Sequence, residues 1–232
     1  MDYGTVERGS FVRRLNRFSA LVRMEGEEVL CHVKNTGRLG ELLLPGATVY
    51  LVYSDAPQRK TRWDLVAVES KGQIINIDSQ APNRVFGEWV RAGGFRSDVQ
   101  YVRAESVFED SRFDFRLEFA GGTQFVEVKG VTLLRSGYAY FPDAPTERGV
   151  KHLHGLMRAV EAGYEAAAVF ILPMKGARCL RPNDDTHPAF GAALRAAAKA
   201  GVQVYAYDCR VAAHSLQVDR PVPVDLTTEE QR

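Results

Sequence analysis

The sequence predicts an α+β protein of two domains: an all-β first part of about eighty residues, then a mixed sheet with flanking helices. Three observations predict it. Up to Asp78, short apolar segments recur between turn signals with no helical period. From Ala81 onward, helical and strand patterns alternate. The run from Ala166 to Pro173 is continuously apolar, as expected of a central strand covered on both faces.

In the first part the strand candidates are residues 19–24, 28–33, 48–53, 63–68 and 74–78, separated by EGEE, NTGRLG, PGA and SKG. Many short strands at this spacing form a small barrel or sandwich. At Ala81 the pattern changes. Asn83 is placed to cap a helix that presents Val85, Phe86, Trp89 and Val90 and stops at Gly93-Gly94. A strand follows over 99–108, then a hairpin over 111–129, then a long loop over 130–146. Pro145 suits the first turn of the next helix, which carries Val150, Leu153, Leu156, Met157 and Val160 as its apolar stripe and ends at Gly163. After the central strand come a helix over 187–200 and a strand over 202–208. The last dozen residues are polar with two prolines and are expected to pack poorly. The domains divide as 1–80 and 81–232.

Composition narrows the function. The chain has 232 residues, 45% hydrophobic and 25% charged, with a net charge of +1. Such a balance gives no global argument for a polyanionic partner, so any basic surface must be local. Residues 1–63 hold ten Lys/Arg against seven Asp/Glu, a modest local excess. Cys31, Cys179 and Cys209 are far apart and odd in number, which fits reduced thiols in a cytoplasm better than a disulfide framework or zinc site. No apolar run is long enough to span a bilayer, and the first residues lack a secretory h-region. There is no G-x-G-x-x-G and no P-loop.

The hairpin concentrates the chemistry. Phe113, Phe115, Leu117 and Phe119 alternate with Asp114, Arg116 and Glu118, and a turn at Gly121-Gly122 closes the pair. The expected register sets Phe119 opposite Gln124, Arg116 opposite Glu127 and Asp114 opposite Lys129. Asp114, Glu127 and Lys129 then share one face, and the four apolar residues lie on the other with Val126 and Val128. That face has two readings. One is a solvated wall with cross-strand ion pairs. The other is a metal site, with paired carboxylates for a hard cation and a lysine to orient or deprotonate the attacking water. Farther on, Arg148 and His152 are one turn apart at a helix start, as are Glu147 and Lys151, where free N–H groups favour phosphate.

SRFDF, FVEVKGVTL and above all AYFPDAPTERGVKHL resemble the sugar fermentation stimulation protein A family, as do RLNRF, HVKNTGR and PGATVYLV in the first part. The resemblance covers nearly the whole chain. It implies an OB-like N-terminal barrel followed by a domain similar to PD-(D/E)XK nucleases, with DNA as partner. By the same resemblance Asp114 and Glu127 are catalytic acids and metal ligands, Lys129 is the catalytic lysine, and Glu88 is a further metal ligand from the preceding helix. Mg²⁺ or Mn²⁺ is the expected cofactor. Gly130, Lys34 and Val150 depart from the family's usual serine, proline and glutamine. The expected DNA contacts are Arg13, Arg17, Arg38 and Lys60, projected from turns of the barrel, with Arg148, Lys151 and His152 on the second domain. Two functions follow: a metal-dependent DNA endo- or exonuclease, or a non-catalytic DNA-binding transcriptional regulator of sugar metabolism. A cytoplasmic protein is expected, with no membrane partner and with a homodimer compatible with the sequence.

Overall fold

The computed structural model describes residues 1–35 and 37–228. Strands β1 (Val6–Asn16), β2 (Ser19–Met24), β3 (Glu27–Val33), β4 (Thr48–Tyr53), β5 (Trp63–Ser70) and β6 (Gln73–Asn76) form one sheet in the order β3-β2-β1-β4-β5-β6. A parallel pairing of β3 with β5, Cys31 opposite Trp63 and Val33 opposite Leu65, closes β1 to β5 into a barrel. Phe11, Val22, Cys31, Val49, Leu51 and Leu65 fill it. Closure also removes the sheet edges that would otherwise invite aggregation. β1 was not among the expected strands. Only Phe11 of its eleven residues is fully buried, so the apolar alternation that marks a strand is faint there.

The second domain opens with α1 (Ala81–Arg91), β7 (Val99–Phe108), β8 (Ser111–Phe119) and β9 (Gly122–Gly130). The expected loop over 130–146 contains a small hairpin, β10 (Leu133–Arg135) and β11 (Tyr138–Phe141). Then follow α2 (Glu147–Glu161), β12 (Glu165–Leu172), β13 (Cys179–Pro182), α3 (Pro188–Lys199), β14 (Gln203–Val211) and β15 (Leu216–Pro221). The main sheet runs β15-β14-β12-β9-β8-β7, with β12 parallel to both neighbours. As expected, β12 is covered on both faces. Ala166, Ala168, Phe170 and Leu172 pack on the α2 and α3 side, and Ala167, Val169 and Ile171 on the α1 side. The first of these clusters continues without a break into the barrel core.

Three expectations fail for local reasons. Up to residue 228 the last segment is not loosely packed: β15 pairs with β14, Arg181 holds Asp225 at 2.9 Å, and Arg195 donates to the Leu226 carbonyl at 2.6 Å; residues 229–232, the rest of that expectation, lie outside the described residues. Asn83 does not cap α1; Gln80 stands at the cap and Asn83 lies inside the first turn, where its side chain has another partner. The buried stripe of α2 runs through Gly149, His152, Leu153, Leu156 and Ala159, leaving Val150, Met157 and Val160 half-buried at its margin. The chain's first residues also cross between domains, since Tyr3 and Met1 hydrogen-bond to His214 and Leu216.

Candidate active site

The β8–β9 hairpin closes two residues tighter than expected. Phe119 pairs with Gly122 and Phe115 with Val126, so the turn is Ala120-Gly121. A shift of two preserves the faces, and continuing it one step sets Asp114 opposite Glu127 instead of Lys129. The alternation along β8 then breaks. Phe113 packs on Phe125 at 5.6 Å on the α2 face, whereas Phe115 packs on Phe86 of α1 at 5.3 Å on the opposite face. The break coincides with Glu105 of the neighbouring strand, whose φ of +51° falls between the Ala104–Phe115 and Ser106–Phe113 pairs. The expectation that all four apolar residues share one face is therefore wrong.

That break sets the Asp114 carboxylate between the faces. One oxygen accepts from Asn83 of α1 at 2.6 Å, and the other from the Val128 backbone N–H at 2.7 Å. Next to Val128 is Glu127, 4% exposed, whose side chain turns to the α2 face. Its Oε1 accepts from Lys129 Nζ at 2.5 Å and is bonded by His152 Nδ1. Arg148 Nε donates to His152 Nε2 at 3.3 Å, which leaves the Nδ1–H to donate to Glu127. Glu127 Oε2 is buried and has no hydrogen-bond partner among the described residues.

The electrostatics follow from this asymmetry. Burial and the neighbouring Glu127 charge push the Asp114 carboxyl up, against the pull of Val128, Lys129 and Asn83. Burial also works to raise Glu127, but the bonds and charges of His152 and Lys129 outweigh it and hold the group below the usual carboxylate range. Two half-compensated carboxylates, one with a bare buried oxygen, are suited to a hard cation. Asp114 and Glu127 are the residues that could hold it.

Asp114, Glu127 and Lys129 come together as expected. Glu88 lines the same shallow pocket as Asp114, but its oxygens are engaged by the Met1 ammonium at 2.7 Å and Arg84 at 3.4 Å. His152, expected as a DNA contact, is 7% exposed with both ring nitrogens engaged within the protein. Lys151 reaches Asp110 at 3.1 Å rather than Glu147, while Glu147 meets His187 at 3.1 Å. Arg148 is exposed at the start of α2, behind a Thr146 cap that accepts from Gly149 N–H. On the barrel, Arg17, Arg38 and Lys60 lie in connecting segments, but Arg13 lies within β1; all four are exposed. Asn83 and the His152–Glu127 contact were missed by sequence reasoning. A signal for the second existed: position 152 is three residues from Gly149 and four from Leu156, on the buried stripe.

Of the three departures from the family pattern, Gly130 has a structural reason. A Cβ there would stand 2.7 Å from Cγ of Pro82 in the first turn of α1. Lys34 reaches buried Asp78 at 2.8 Å, and Val150 packs against the core margin.

Residues 80–215 match the family model described as sugar fermentation stimulation protein RE domain, and residues 12–77 match the SfsA N-terminal OB domain. The chain belongs to the sugar fermentation stimulation protein family. A homolog of that name from Desulfitobacterium hafniense (strain Y51) is 51% identical over 226 residues, covering 97% of this chain and 99% of the relative. One from Ruminiclostridium cellulolyticum is 45% identical over 226 residues, covering 97% and 100%. The solved structure of Pyrococcus furiosus SfsA in complex with Ca²⁺ superposes with a TM-score of 0.88 at 28% identity, covering 97% of this chain and 98% of that one. The N-terminal OB-like barrel and the following mixed sheet with helices are thus the architecture of this family. No helix among the described residues is long and apolar enough to cross a membrane.

Proposed function

We propose that the protein is a metal-dependent DNA hydrolase whose centre is Asp114, Glu127 and Lys129. The observation that carries this reading is the buried, unpartnered Oε2 of Glu127 beside an Asp114 whose carboxyl is pushed up by burial and by that same glutamate. A bare buried carboxylate oxygen costs stability unless something fills it. The donor set is all oxygen, which suits Mg²⁺ or Mn²⁺, and the relative from Pyrococcus furiosus was solved with Ca²⁺. When bound, such a cation polarises a phosphoryl oxygen and lowers the pKa of its water.

The chain's own groups have separable tasks. Asp114 and Glu127 hold the cation. His152 and Lys129 occupy Oε1 and leave Oε2 for the cation, and the Lys129 ammonium orients the attacking water. Arg148 offers an exposed cation at a helix start, where phosphate is favoured. The four exposed barrel cations, Arg13, Arg17, Arg38 and Lys60, make no ion pair among the described residues and serve as phosphate contacts.

One observation favours the non-catalytic regulator instead. Among the described residues no three or more His, Cys, Asp or Glu side chains gather as a metal site, and Glu88 is engaged elsewhere. Mg²⁺, however, needs only one or two carboxylates when waters and substrate phosphates complete its shell. The deciding experiment incubates purified protein with single-stranded, duplex and branched DNA in Mg²⁺, Mn²⁺ or EDTA. Cleavage of at least one substrate in metal and none in EDTA is expected. All three left uncut in both metals would discard the hydrolase and leave the regulator.

A further inference from the structure

We propose that the barrel rim at Arg17-Phe18 is a stacking platform for an unpaired base, which makes single-stranded DNA the nucleic acid this protein grips. The proposal rests on the nucleic-acid reading above and adds the form of DNA that is recognised.

Phe18 sits in the two-residue turn between β1 and β2 and is 49% exposed. The Arg17 guanidinium lies 5.0 Å from its ring centroid. An aromatic at a turn tip gains little by burial, yet the turn is not loose. Phe18 N–H donates to Asn16 Oδ1 at 2.8 Å, and the Phe18 carbonyl accepts from Val33 N–H at 2.8 Å.

The rim is further held by Arg14. Its guanidinium donates to five backbone carbonyls: Asn16 at 3.1 Å, Arg17 at 2.7 Å, Asn35 at 2.6 Å, Gly37 at 2.6 Å and Arg38 at 2.9 Å. One side chain thus clamps the β1–β2 turn to the segment after β3. Arg17 and Arg38 stand on the same rim with exposed side chains that make no ion pair among the described residues. A second tether works from the other side. Asp64 accepts from His32, which pairs with Ser19 next to Phe18, and is also held by Arg59, next to exposed Lys60. Preorganised cations around a half-exposed ring supply the two elements of single-strand binding: charge for the backbone and a π-face for a base. A duplex keeps its bases stacked internally and presents no open face to such a ring.

The rim also meets the second domain. Gly37 packs so close to the second domain that a Cβ there would come within 2.6 Å of Asp143 Oδ2. Asp143 lies three residues before the Thr146 cap of α2, the helix that carries Arg148 and His152 to Glu127.

The test is fluorescence anisotropy in EDTA with a labelled oligothymidylate and with a duplex of equal length. Wild type is expected to bind the single strand more tightly. Phe18→Ala should weaken single-strand binding between about 5- and 150-fold, the worth of one base–aromatic stack, and leave duplex affinity within about twofold. Phe18→Trp should retain the single-strand preference, which separates stacking from damage to the turn. An unchanged single-strand affinity in Phe18→Ala, an equal loss on both DNAs, or a lost preference in Phe18→Trp would overturn the proposal. Because no metal is present, a protein that stacks DNA but never cuts it defeats only the hydrolase, and one that cuts without Phe18-dependent binding defeats only the platform.

Discussion

Two carboxylates side by side in a buried position repel one another, and at Asp114 that repulsion sets a sign. Its carboxyl is raised above the ordinary 3.8, so the fold favours the protonated form. A raised carboxyl contributes stability at pH below its unfolded value, and that contribution is lost as pH rises through the folded value. In metal-free protein Asp114→Asn should therefore raise the melting temperature at neutral pH, and the gain should shrink as pH is lowered toward the unfolded value. Thermal melts in EDTA across that range measure it, and a gain that grows on acidification would contradict the account. His152 makes a second prediction. Removing it leaves Lys129 as the one side chain among the described residues bonded to Glu127 Oε1, so His152→Ala should weaken Mn²⁺ binding roughly 10- to 100-fold, as loss of a ligand's supporting partner typically does. His152→Asn retains a donor and should recover part of that loss in the same calorimetric titration. The convergence of Asp114, Glu127 and Lys129 was legible from strand spacing, which by itself left an ion-paired wall and a metal site both open. Asn83 was not, because in a sequence an asparagine at a helix start reads as a cap whatever side chain lies opposite.

At the scale of elements, α1 and β9 are locked by the contact between Pro82 and Gly130. Introducing Ala at 130 forces a Cβ to 2.7 Å from Pro82 Cγ, an overpacking expected to cost about 1–3 kcal/mol. For a chain of this size the melting temperature should fall by roughly 2–4 °C per kcal/mol. Gly130→Ala combined with Pro82→Ala should recover most of the loss; an additive result would show that the two residues are not coupled. The same element carries the difference between expected and observed hairpin. Strand periodicity identified β8 and β9 but could not fix a two-residue turn against a slightly wider one, since both keep the faces. Nor could it foresee the reversal at Asp114, which coincides with a positive φ at Glu105 in the adjacent strand. β1 went unseen for the opposite reason: its polar, exposed residues leave too weak an apolar period.

For the whole molecule, the apolar cluster continuous from barrel to second sheet, and the Gly37–Asp143 contact, hold the barrel rim against the second domain. On the proposed function, gripping and cutting fall to different groups and should separate by mutation. Lys129→Ala should lower cleavage roughly 10²–10⁴-fold, the usual share of a general base or water-orienting group, while DNA affinity in EDTA stays nearly intact. A parallel loss of affinity would make Lys129 a DNA contact instead. The two-domain plan was legible as a change from strand-only to alternating patterns near Ala81, whereas the tethering of Met1 and Tyr3 to β15 and the turn before it left no sequence signal. The central claim is that Asp114 and Glu127 form a cation site, and calorimetric titration of metal-free protein with Mn²⁺ tests it most directly. Saturable binding by wild type and none by the Asp114→Asn, Glu127→Gln double variant is the predicted result; binding unchanged in that variant would contradict it.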